Sequence, residues 1–274
     1  MSSPIAIIAG AGRFPFHVAQ EAKRQGHRVV VLGMTGWADR ALAAHADAFE
    51  EVSVGQLARL IERLKSHRVT QAIMAGKVTK EVLVTQRSAF DVETLALLAS
   101  VRDVSVPALL GAIGLRLSRE GITLLDSSTF LKEALCPAGV LTARAPTEEE
   151  RKDIGLGARA ARAIADLDIG QTVVVKRGVI VAVEALEGTD AAIRRAHAVA
   201  GEGLVVVKMA ATTQDRRFDL PVIGLDTLAT LQACGVTCLA MEAGSTVLLD
   251  RPTLIAQADT AQRVLVGITH DPPT

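Results

Sequence analysis

The first 75 residues alternate short apolar runs with segments of helical periodicity, and this alternation constrains the fold more than any other feature of the chain. An apolar run over residues 5–9 ends at a glycine-rich turn, and residues 14–25 then carry apolar side chains at helical spacing until Gly26. Further apolar runs cover residues 28–32, 52–54 and 72–75, and a helical pattern covers residues 57–64. Strands separated by helices predict a parallel sheet covered on both faces, with ligands at the carboxyl ends of the strands.

The second half of the chain also shows an α/β pattern. Between Cys136 and Glu150 the periodicity lapses and proline, glycine and charge accumulate, which is typical of a domain boundary. We place the boundary near residue 140, with domains of residues 1–140 and 141–274. Thr147 and Glu150 predict a capping box for a helix that runs through residue 166. Strands are predicted over residues 172–175, 179–183, 204–208, 222–223, 238–240 and 246–249.

Composition excludes several classes of protein. Thirty basic residues balance thirty acidic ones among 274, so no overall field favours nucleic acid. The start, Met1–Ile5, has no basic leader, and no apolar run approaches the roughly 20 residues of a membrane span. These features predict a cytoplasmic protein that does not span a membrane and does not bind nucleic acid.

The three cysteines, Cys136, Cys234 and Cys238, are too few for a disulfide framework and lack further ligands at zinc spacing. We expect buried free thiols. The six histidines are scattered, and we find no nucleophilic triad in the pattern.

Two glycine-containing loops follow predicted strands of the first half. Gly10 and Gly12 could bring backbone N–H groups to a phosphate, or could simply form a tight turn. Pro15 stands where a dinucleotide fingerprint has its third glycine, which weakens the alternative of a nicotinamide-dependent oxidoreductase. Gly76 and Lys77 end the fourth predicted strand and should open on the same crevice, although a turn with a solvated lysine is the alternative.

Acidic residues are concentrated in loops of the second half. They are Glu184, Glu187, Asp190, Asp215, Asp219 and Asp226. Mg²⁺ binds a few carboxylate oxygens and completes its shell with water and substrate phosphates, so some of these acids must be structural. Helix capping by Asp190 or Asp226 is the main alternative to metal binding, because each precedes apolar residues at helical spacing.

Basic residues in the same region could neutralise a diphosphate. Lys208 ends an apolar strand, a position that favours function over simple solvation. The pairs at residues 194–195 and 216–217 are either solvated surface arginines or phosphate ligands, since arginine grips phosphate oxygens bidentately.

Motifs along nearly the whole chain resemble the LpxI-type UDP-2,3-diacylglucosamine pyrophosphatases of lipid A biosynthesis. They span Ile8–Pro15, Ala75–Val78, Ala182–Asp190, Gln214–Pro221, Gly224–Thr227 and Glu242–Gly244. The resemblance implies an N-terminal Rossmann-like domain, a C-terminal α/β domain and Mg²⁺-dependent hydrolysis of the pyrophosphate bond to UMP and 2,3-diacylglucosamine 1-phosphate. It also implies an acylated UDP-sugar substrate, a transient visit to the cytosolic face of the inner membrane, and a homodimer.

The resemblance and the residue types together predict three sets of site residues. The catalytic set is Asp226, Lys208, Gln214, Arg216 and Arg217, of which the acid at 226 matches one that is essential in the family. The substrate-binding set is Gly10, Gly12, Arg13, Pro15, Gly76, Lys77, Val78, Gly188, Thr189, Glu242 and Gly244. The metal set is Asp226, Asp190, Glu187 and Asp219.

Two stretches depart from the family pattern. Lys208 usually begins a Lys-x-x-Lys-Pro-x-Gln motif, but Ala211 and Thr212 stand where its second lysine and its proline would be. Residues 105–107 are Ser-Val-Pro where an acidic step is usual. Because both changes remove charge, a non-catalytic nucleotide- or lipid-binding protein with the same fold is the alternative function.

Overall fold

The computed structural model describes residues 3–78, 90–101, 106–218 and 220–269. The chain divides into two compact units, one of Met1–Leu131 with Asp215–Asp219 and one of Lys132–Gln214 with Leu220–Thr274. The boundary predicted near residue 140 lies inside the second unit. Both units are α/β, which confirms the predicted fold class.

The first unit contains a five-stranded parallel sheet. Its strands are β1 (Ile5–Ala9), β2 (Val29–Met34), β3 (Ala48–Val52), β4 (Gln71–Ala75) and β5 (Thr123–Leu124). The order is β3-β2-β1-β4-β5, and each neighbouring pair is parallel. This is the Rossmann order, in which the direction of winding reverses between β1 and β4. The predicted Rossmann-like sheet is confirmed.

Helices cover both faces of this sheet. They are α1 (Phe14–Arg24), α2 (Leu57–Ser66), α3 (Val92–Ser100) and α4 (Val106–Arg119), with a 3₁₀ turn over Arg40–His45. Side chains of α2, α3 and α4 pack against Ala6 and Ile8 of β1. Since alternate residues of a strand face opposite sides, Ile5 and Ile7 face the side on which α1 contacts the sheet.

The second unit contains a mixed sheet of six strands in the order β6-β13-β11-β9-β7-β8. Its strands are β6 (Gly139–Val140), β7 (Thr172–Lys176), β8 (Val179–Val183), β9 (Leu204–Lys208), β11 (Val236–Glu242) and β13 (Val264–Ile268). Strands β9, β11 and β13 are parallel, whereas β7 is antiparallel to both β8 and β9. Strands β10 (Val222–Ile223) and β12 (Val247–Leu248) form a separate parallel pair.

Strand β13 was not among the sequence predictions. Its run is interrupted by Gly267, a residue that weakens a strand signal. The glycine is needed there because a Cβ atom would lie 1.9 Å from the carbonyl oxygen of Pro137. The segment before β6 passes so close to β13 that position 267 requires glycine, and this glycine weakened the strand pattern in the sequence.

Helices sandwich the second sheet as well. They are α5 (Glu148–Asp166), α6 (Thr189–Ala200), α7 (Leu225–Ala233) and α8 (Arg251–Thr260). Ile154 of α5 packs on the face that carries Val205, while Ile193, Leu228 and Leu254 of the other three helices pack on the opposite face. Burying one such side chain contributes about 1.5–3 kcal/mol. The predicted capping box at Thr147 and Glu150 is present at the start of α5.

The strands of the second sheet end at two edges, and these carry different groups. At the carboxyl edge β9 ends at Lys208 and β11 ends at Glu242. Thr172, the first residue of antiparallel β7, pairs with Lys208, so β7 begins and β8 ends at this same edge. At the amino edge β9 and β11 begin, and α5 begins there too, because Glu150 in its first turn and Thr237 in β11 share Arg144 as a partner.

The three cysteines are buried and free, as predicted. Burial raises the pKa of the Cys136 thiol to about 11 and raises that of Cys238 further. No helix within the described ranges has the length and apolar character that crossing a bilayer requires.

Candidate functional site

The carboxyl edge of the second sheet holds three buried charged residues from three different strand ends. Glu184 follows β8 and is 8% exposed, Lys208 ends β9 and is 6% exposed, and Glu242 ends β11 and is 7% exposed. Buried charges are costly unless they are paired and hydrogen-bonded, so three at one edge mark a specialised place in the fold.

Lys208 lies in a hydrogen-bonded network with two threonines and Glu184. Its Nζ donates to Thr189 Oγ1 at 2.9 Å and to Thr172 Oγ1 at 3.3 Å. Thr189 Oγ1 in turn donates to Glu184 Oε1 at 2.9 Å. Glu184 Oε2 lies 4.0 Å from Lys208 Nζ and accepts from the Gln171 backbone N–H at 3.1 Å. The ammonium and the carboxylate are thus joined through a hydroxyl group.

The network keeps Glu184 ionised. Burial by itself raises the pKa of the Glu184 carboxyl. The nearby charge of Lys208 and hydrogen bonds from Thr172, Thr189 and the Gln171 backbone outweigh burial and leave the pKa below its ordinary value. The buried edge therefore carries a stable pair of opposite charges.

The N-terminal ends of α6 and α7 lie at this edge beside one another. Both helices lead into parallel strands, β9 and β11, and so run in the same direction. Arg194 of α6 donates to Thr230 Oγ1 of α7 at 3.3 Å. Asp190 and Asp226 each precede one of these two residues by four positions, which is one helical turn. The two acids therefore occupy corresponding places in the first turns of neighbouring helices.

Neither acid caps its helix. The N-cap residues are Gly188 and Gly224, without a side-chain cap in either case, so the capping alternative is wrong. Asp226 is exposed. Asp190 Oδ1 is buried and makes no hydrogen bond within the described residues. A buried carboxylate oxygen without a donor is costly for folding alone.

The other two members of the predicted metal set are placed differently. Glu187 is ion-paired with Arg195 at 2.6 Å, and that hydrogen bond lowers the pKa of the Glu187 carboxyl. Asp219 lies outside the described residues. Across the described ranges, no three His, Cys, Asp or Glu residues cluster as a metal centre. The four-member set stays a prediction, with Asp190 and Asp226 as the two members on adjacent helix ends.

Glu242, from the predicted substrate-binding set, forms the second buried ion pair of the edge. Arg162 of α5 donates to Glu242 Oε1 at 2.5 Å and also to the Ala210 carbonyl oxygen. The Ala210 backbone N–H donates to Glu242 Oε2 at 2.9 Å. Gly244 has a φ of +73° and donates its N–H to the Cys136 carbonyl at 2.8 Å. The ion pair of Arg162 and Glu242 thus connects the end of β11 to α5 and to the segment after β9.

The segment after β9 contains one of the departures from the family pattern. Thr212 donates both its N–H and its hydroxyl to Asp166 at the end of α5, at 2.6 and 3.0 Å. Gln214 Oε1 accepts from the Ala211 N–H at 3.0 Å. The residues that replace the lysine and proline therefore form a turn anchored to α5. The second departure lies at residues 105–107, where residue 105 and the side chains of 106 and 107 fall outside the described part.

Arg216 and Arg217 belong to the first unit. Arg216 Nε donates to Asp126 Oδ2 at 2.8 Å. Arg217 donates to both oxygens of Asp215 and lies over the ring of Phe218 at 5.0 Å. The hydrogen bond from Arg217 lowers the pKa of Asp215. Both predicted catalytic arginines thus have carboxylate partners, and their catalytic role stays a prediction.

The two glycine loops of the first unit lie against each other at the ends of β1 and β4. Gly10 N–H donates to the Ala75 carbonyl at 2.8 Å, and Ala11 and Lys77 exchange backbone hydrogen bonds of 2.8 and 2.9 Å. A Cβ on Gly10 would lie 2.5 Å from the Lys77 carbonyl oxygen. Gly76, with φ of +89°, would place one 2.6 Å from the Ala11 carbonyl oxygen. Close backbone approach requires both glycines.

The remaining predicted residues of these loops border the same strand ends. Gly12 has a φ of +97° and precedes α1, which begins with Phe14 and a buried Pro15. The Arg13 side chain is exposed and lies over Phe16 at 4.8 Å. Lys77 and Val78 are exposed. The loops meet at the point where the winding of the sheet reverses, which is where ligands bind in open α/β sheets.

Sequence reasoning missed several residues of the carboxyl edge of the second sheet. Thr172, Arg162 and the pairing of Glu184 with Lys208 were not predicted. One signal was available: Glu184 and Lys208 each stand at the end of an apolar run that the sequence identified as a strand. Thr172 and Glu184 lie at the open end of the hairpin of β7 and β8, but the place of β9 beside β7 depends on the strand order, which no local pattern carries.

The chain shows distant similarity to solved structures. It matches a biotin carboxylase domain of a 2-oxoglutarate carboxylase from Hydrogenobacter thermophilus at 11% identity and a TM-score of 0.27, covering 35% of that chain. It matches glycinamide-RNase-transformylase T from Mycobacterium tuberculosis at 15% identity and a TM-score of 0.25, covering 42% of that chain. This protein thus spans less than half the length of either.

The chain matches two family models and a related protein over nearly its whole length. Residues 4–134 match the LpxI N-terminal domain, and residues 137–266 match the LpxI C-terminal domain. The chain is also 29% identical over 273 residues to the UDP-2,3-diacylglucosamine pyrophosphatase LpxI of Caulobacter vibrioides, covering 96% of this chain and 97% of that protein. The resemblance inferred from the motifs is confirmed. Since both domain models match in order and together span nearly the whole sequence, the chain belongs to the LpxI family.

Proposed function

We propose that this protein hydrolyses the pyrophosphate bond of UDP-2,3-diacylglucosamine to give UMP and 2,3-diacylglucosamine 1-phosphate, a step of lipid A biosynthesis. The observation that carries the proposal is the relationship, along 96% of the chain, to a protein named for this activity. The carboxyl edge of the second sheet supports it, because a buried cation and two helix N-termini suit a diphosphate.

The proposed roles follow from the positions of the side chains. Lys208 stabilises negative charge that develops on the phosphoryl oxygens, and its burial strengthens that interaction. The backbone N–H group of Thr189, the first residue of α6, binds a phosphate oxygen, and Gly188 at the N-cap position leaves room for it to approach. Asp226, exposed in the first turn of α7, orients the attacking water.

Mg²⁺ fits the residues of this edge. Asp190 has a buried carboxylate oxygen without a partner in the described part of the chain, and Asp226 lies in the corresponding turn of the next helix. Magnesium sites often use one or two carboxylates with water and substrate phosphates, so two acids suffice. We propose that these two residues hold the ion, with Glu187 and Asp219 as the further predicted ligands. The ion would supply positive charge beside the diphosphate.

We further propose that the first unit takes part in substrate binding. Support comes from Gly10, Gly12 and Gly76, whose loops meet at the switch point of a Rossmann sheet. Arg13, Pro15, Lys77 and Val78 border those loops, and Glu242 and Gly244 of the second unit remain proposed substrate contacts. Gln214, Arg216 and Arg217 remain proposed contributors to catalysis.

Exposed apolar residues at the carboxyl edge support a contact with the acyl chains or the membrane surface. Leu167 is 70% exposed and Ile169 is 45% exposed, both between α5 and β7. Leu186, between β8 and α6, is 68% exposed. We propose transient peripheral binding at the cytosolic face of the inner membrane. Sedimentation with phospholipid vesicles should show weak binding that substrate increases and that the double change Leu167→Ser with Leu186→Ser reduces.

The activity is tested by incubating the purified protein with UDP-2,3-diacylglucosamine and separating products by chromatography. We expect UMP and 2,3-diacylglucosamine 1-phosphate in equal amounts, and a loss of turnover on treatment with EDTA that added Mg²⁺ reverses. Saturable binding without release of UMP would instead favour a non-catalytic binding protein. Light scattering of the same sample tests the predicted homodimer.

A further inference from the structure

We infer that Glu184 is a positioning residue for this reaction, which acts by holding Lys208 through the hydroxyl of Thr189. The inference rests on the proposed function. Glu184 touches none of the reacting atoms in this assignment, and its effect passes through the ammonium group.

Chemistry fixes the direction of the hydrogen bonds that join Lys208, Thr189 and Glu184. An ammonium only donates and an ionised carboxylate only accepts. Thr189 Oγ1 lies 2.9 Å from both Lys208 Nζ and Glu184 Oε1, so it accepts from the former and donates to the latter. The hydroxyl has one proton, and that proton is committed to the carboxylate. Glu184 therefore sets the orientation of the hydroxyl, which turns its lone pairs toward Lys208.

The separation between the two charges leaves donor capacity on the ammonium. At 4.0 Å, Glu184 Oε2 supplies counter-charge without taking an N–H of Lys208 in a direct hydrogen bond. Two of the three N–H groups of Lys208 donate to Thr189 and Thr172. The third has no hydrogen-bond partner among the residues that the structure describes. A direct ion pair would consume that donor, whereas this arrangement keeps it for a phosphate oxygen.

The same hydroxyl links the cation to the proposed metal ligands. Thr189 is the first residue of α6, and Asp190 is the second. Without the carboxylate, the Thr189 hydroxyl proton could turn to Thr172 Oγ1, 3.3 Å away, and Lys208 would be buried without the counter-charge of Glu184. The expected result is misplacement of the cation relative to the first turn of α6, which lowers the rate of the chemical step more than it weakens substrate binding.

The test compares Glu184→Gln with Glu150→Gln. Glu150 is a matched control because it is also 8% exposed and ion-paired, but at the amino edge of the same sheet. Steady-state UMP release should show kcat lowered by about 10- to 100-fold in Glu184→Gln with KM changed by less than about 3-fold. Glu150→Gln should keep kcat within about 3-fold of the unchanged protein. Thermal unfolding of both variants measures loss of stability separately.

Several outcomes would overturn the inference. It fails if Glu184→Gln keeps its kcat, if KM rises while kcat does not fall, or if Glu150→Gln loses kcat equally. If Glu184→Gln does not fold, Thr189→Val and Thr189→Ser decide the matter, because only serine keeps the hydroxyl. Equal loss of kcat in these two variants would then contradict the role of the hydroxyl. Absence of turnover in the unchanged protein would refute the proposed function instead, so the two failures are distinguishable.

Discussion

The two edges of the second sheet each bury a glutamate of the same exposure, yet they pair it differently. At the amino edge Arg144 grips Glu150 with two hydrogen bonds, of 2.8 and 2.9 Å. At the carboxyl edge Lys208 stays 4.0 Å from Glu184, with a threonine hydroxyl in between. A bidentate pair is the stronger arrangement for stability, because it satisfies both partners directly.

The difference separates a structural pair from one arranged for chemistry. Glu150 also accepts from the Thr147 N–H, and Arg144 also donates to the Thr237 carbonyl. The hydrogen bonds of the Arg144–Glu150 pair therefore join α5 to β11. The pair at the carboxyl edge leaves one lysine donor without a partner in the described part of the chain. It lies beside the first turn of α6, where a buried oxygen of Asp190 makes no hydrogen bond to the described residues. Such an arrangement adds little to the stability of the fold, but it is suited to binding an anionic ligand.

The largest expected difference between the edges appears when an acid is removed from the first turn of a helix at the carboxyl edge and at the amino edge. Asp226→Ala should lower kcat/KM for UMP release by about 1,000-fold, because it removes a proposed magnesium ligand and the group that orients water. Glu148→Ala is the matched change in the first turn of α5, where the side chain is 83% exposed. It should leave kcat/KM within about 2-fold. If the Asp226→Ala protein kept its activity, the carboxyl edge would have no demonstrated functional difference from the amino edge.

The second effect is on stability at the amino edge. Hydrogen bonds from Arg144 and the Thr147 backbone outweigh burial and lower the pKa of Glu150 to about 2, against an ordinary 4.5. A lowered pKa stabilises the folded state fully above the ordinary value and loses that contribution as the pH falls toward about 2. Glu150→Gln should therefore reduce the free energy of unfolding at neutral pH by on the order of 3 kcal/mol.

The difference in free energy of unfolding between the unchanged protein and Glu150→Gln should narrow as the pH falls from about 5 to about 3. The reason is that the unchanged protein then loses the stability that ionised Glu150 contributes. Urea denaturation of both proteins across that range measures it. A gap that stays constant with pH would show that the cost of Glu150→Gln comes from packing and not from the charge.

The smallest effect should come from two conservative changes, in which Lys208 becomes arginine and Arg144 becomes lysine. Lys208→Arg should lower kcat about 10-fold, because a planar guanidinium cannot reproduce the contacts of a compact ammonium. Arg144→Lys should cost about 1–2 kcal/mol of stability by losing the bidentate pair, and should leave kcat unchanged. Kinetics and denaturation on both variants are needed. If both variants lost only stability, the carboxyl edge would be structural like the amino edge.

Part of this arrangement could be predicted from local patterns. Alternating apolar runs and helical periodicity gave the α/β class, and the Thr147 and Glu150 spacing gave the start of α5. Asp190 and Asp226 were found as acids at helix starts, but their spacing could not distinguish a cap from a first-turn position. Glycines at 188 and 224 take the cap positions, and the backbone path into each helix decides this.

The order of residues by itself determined most strands and helices, the buried thiols and the family, because each depends on short-range periodicity or on motifs that are contiguous in sequence. Only the tertiary structure decided that Glu184, Lys208 and Thr172 meet. They come from strands β8, β9 and β7, whose neighbours are set by the order β9-β7-β8 in the sheet. The pairing of β7 with β8 is a local hairpin, but the pairing of β9 with β7 is a property of long-range packing, since those two segments share no local signal. The partners of a buried charge therefore become known only when the sheet is assembled.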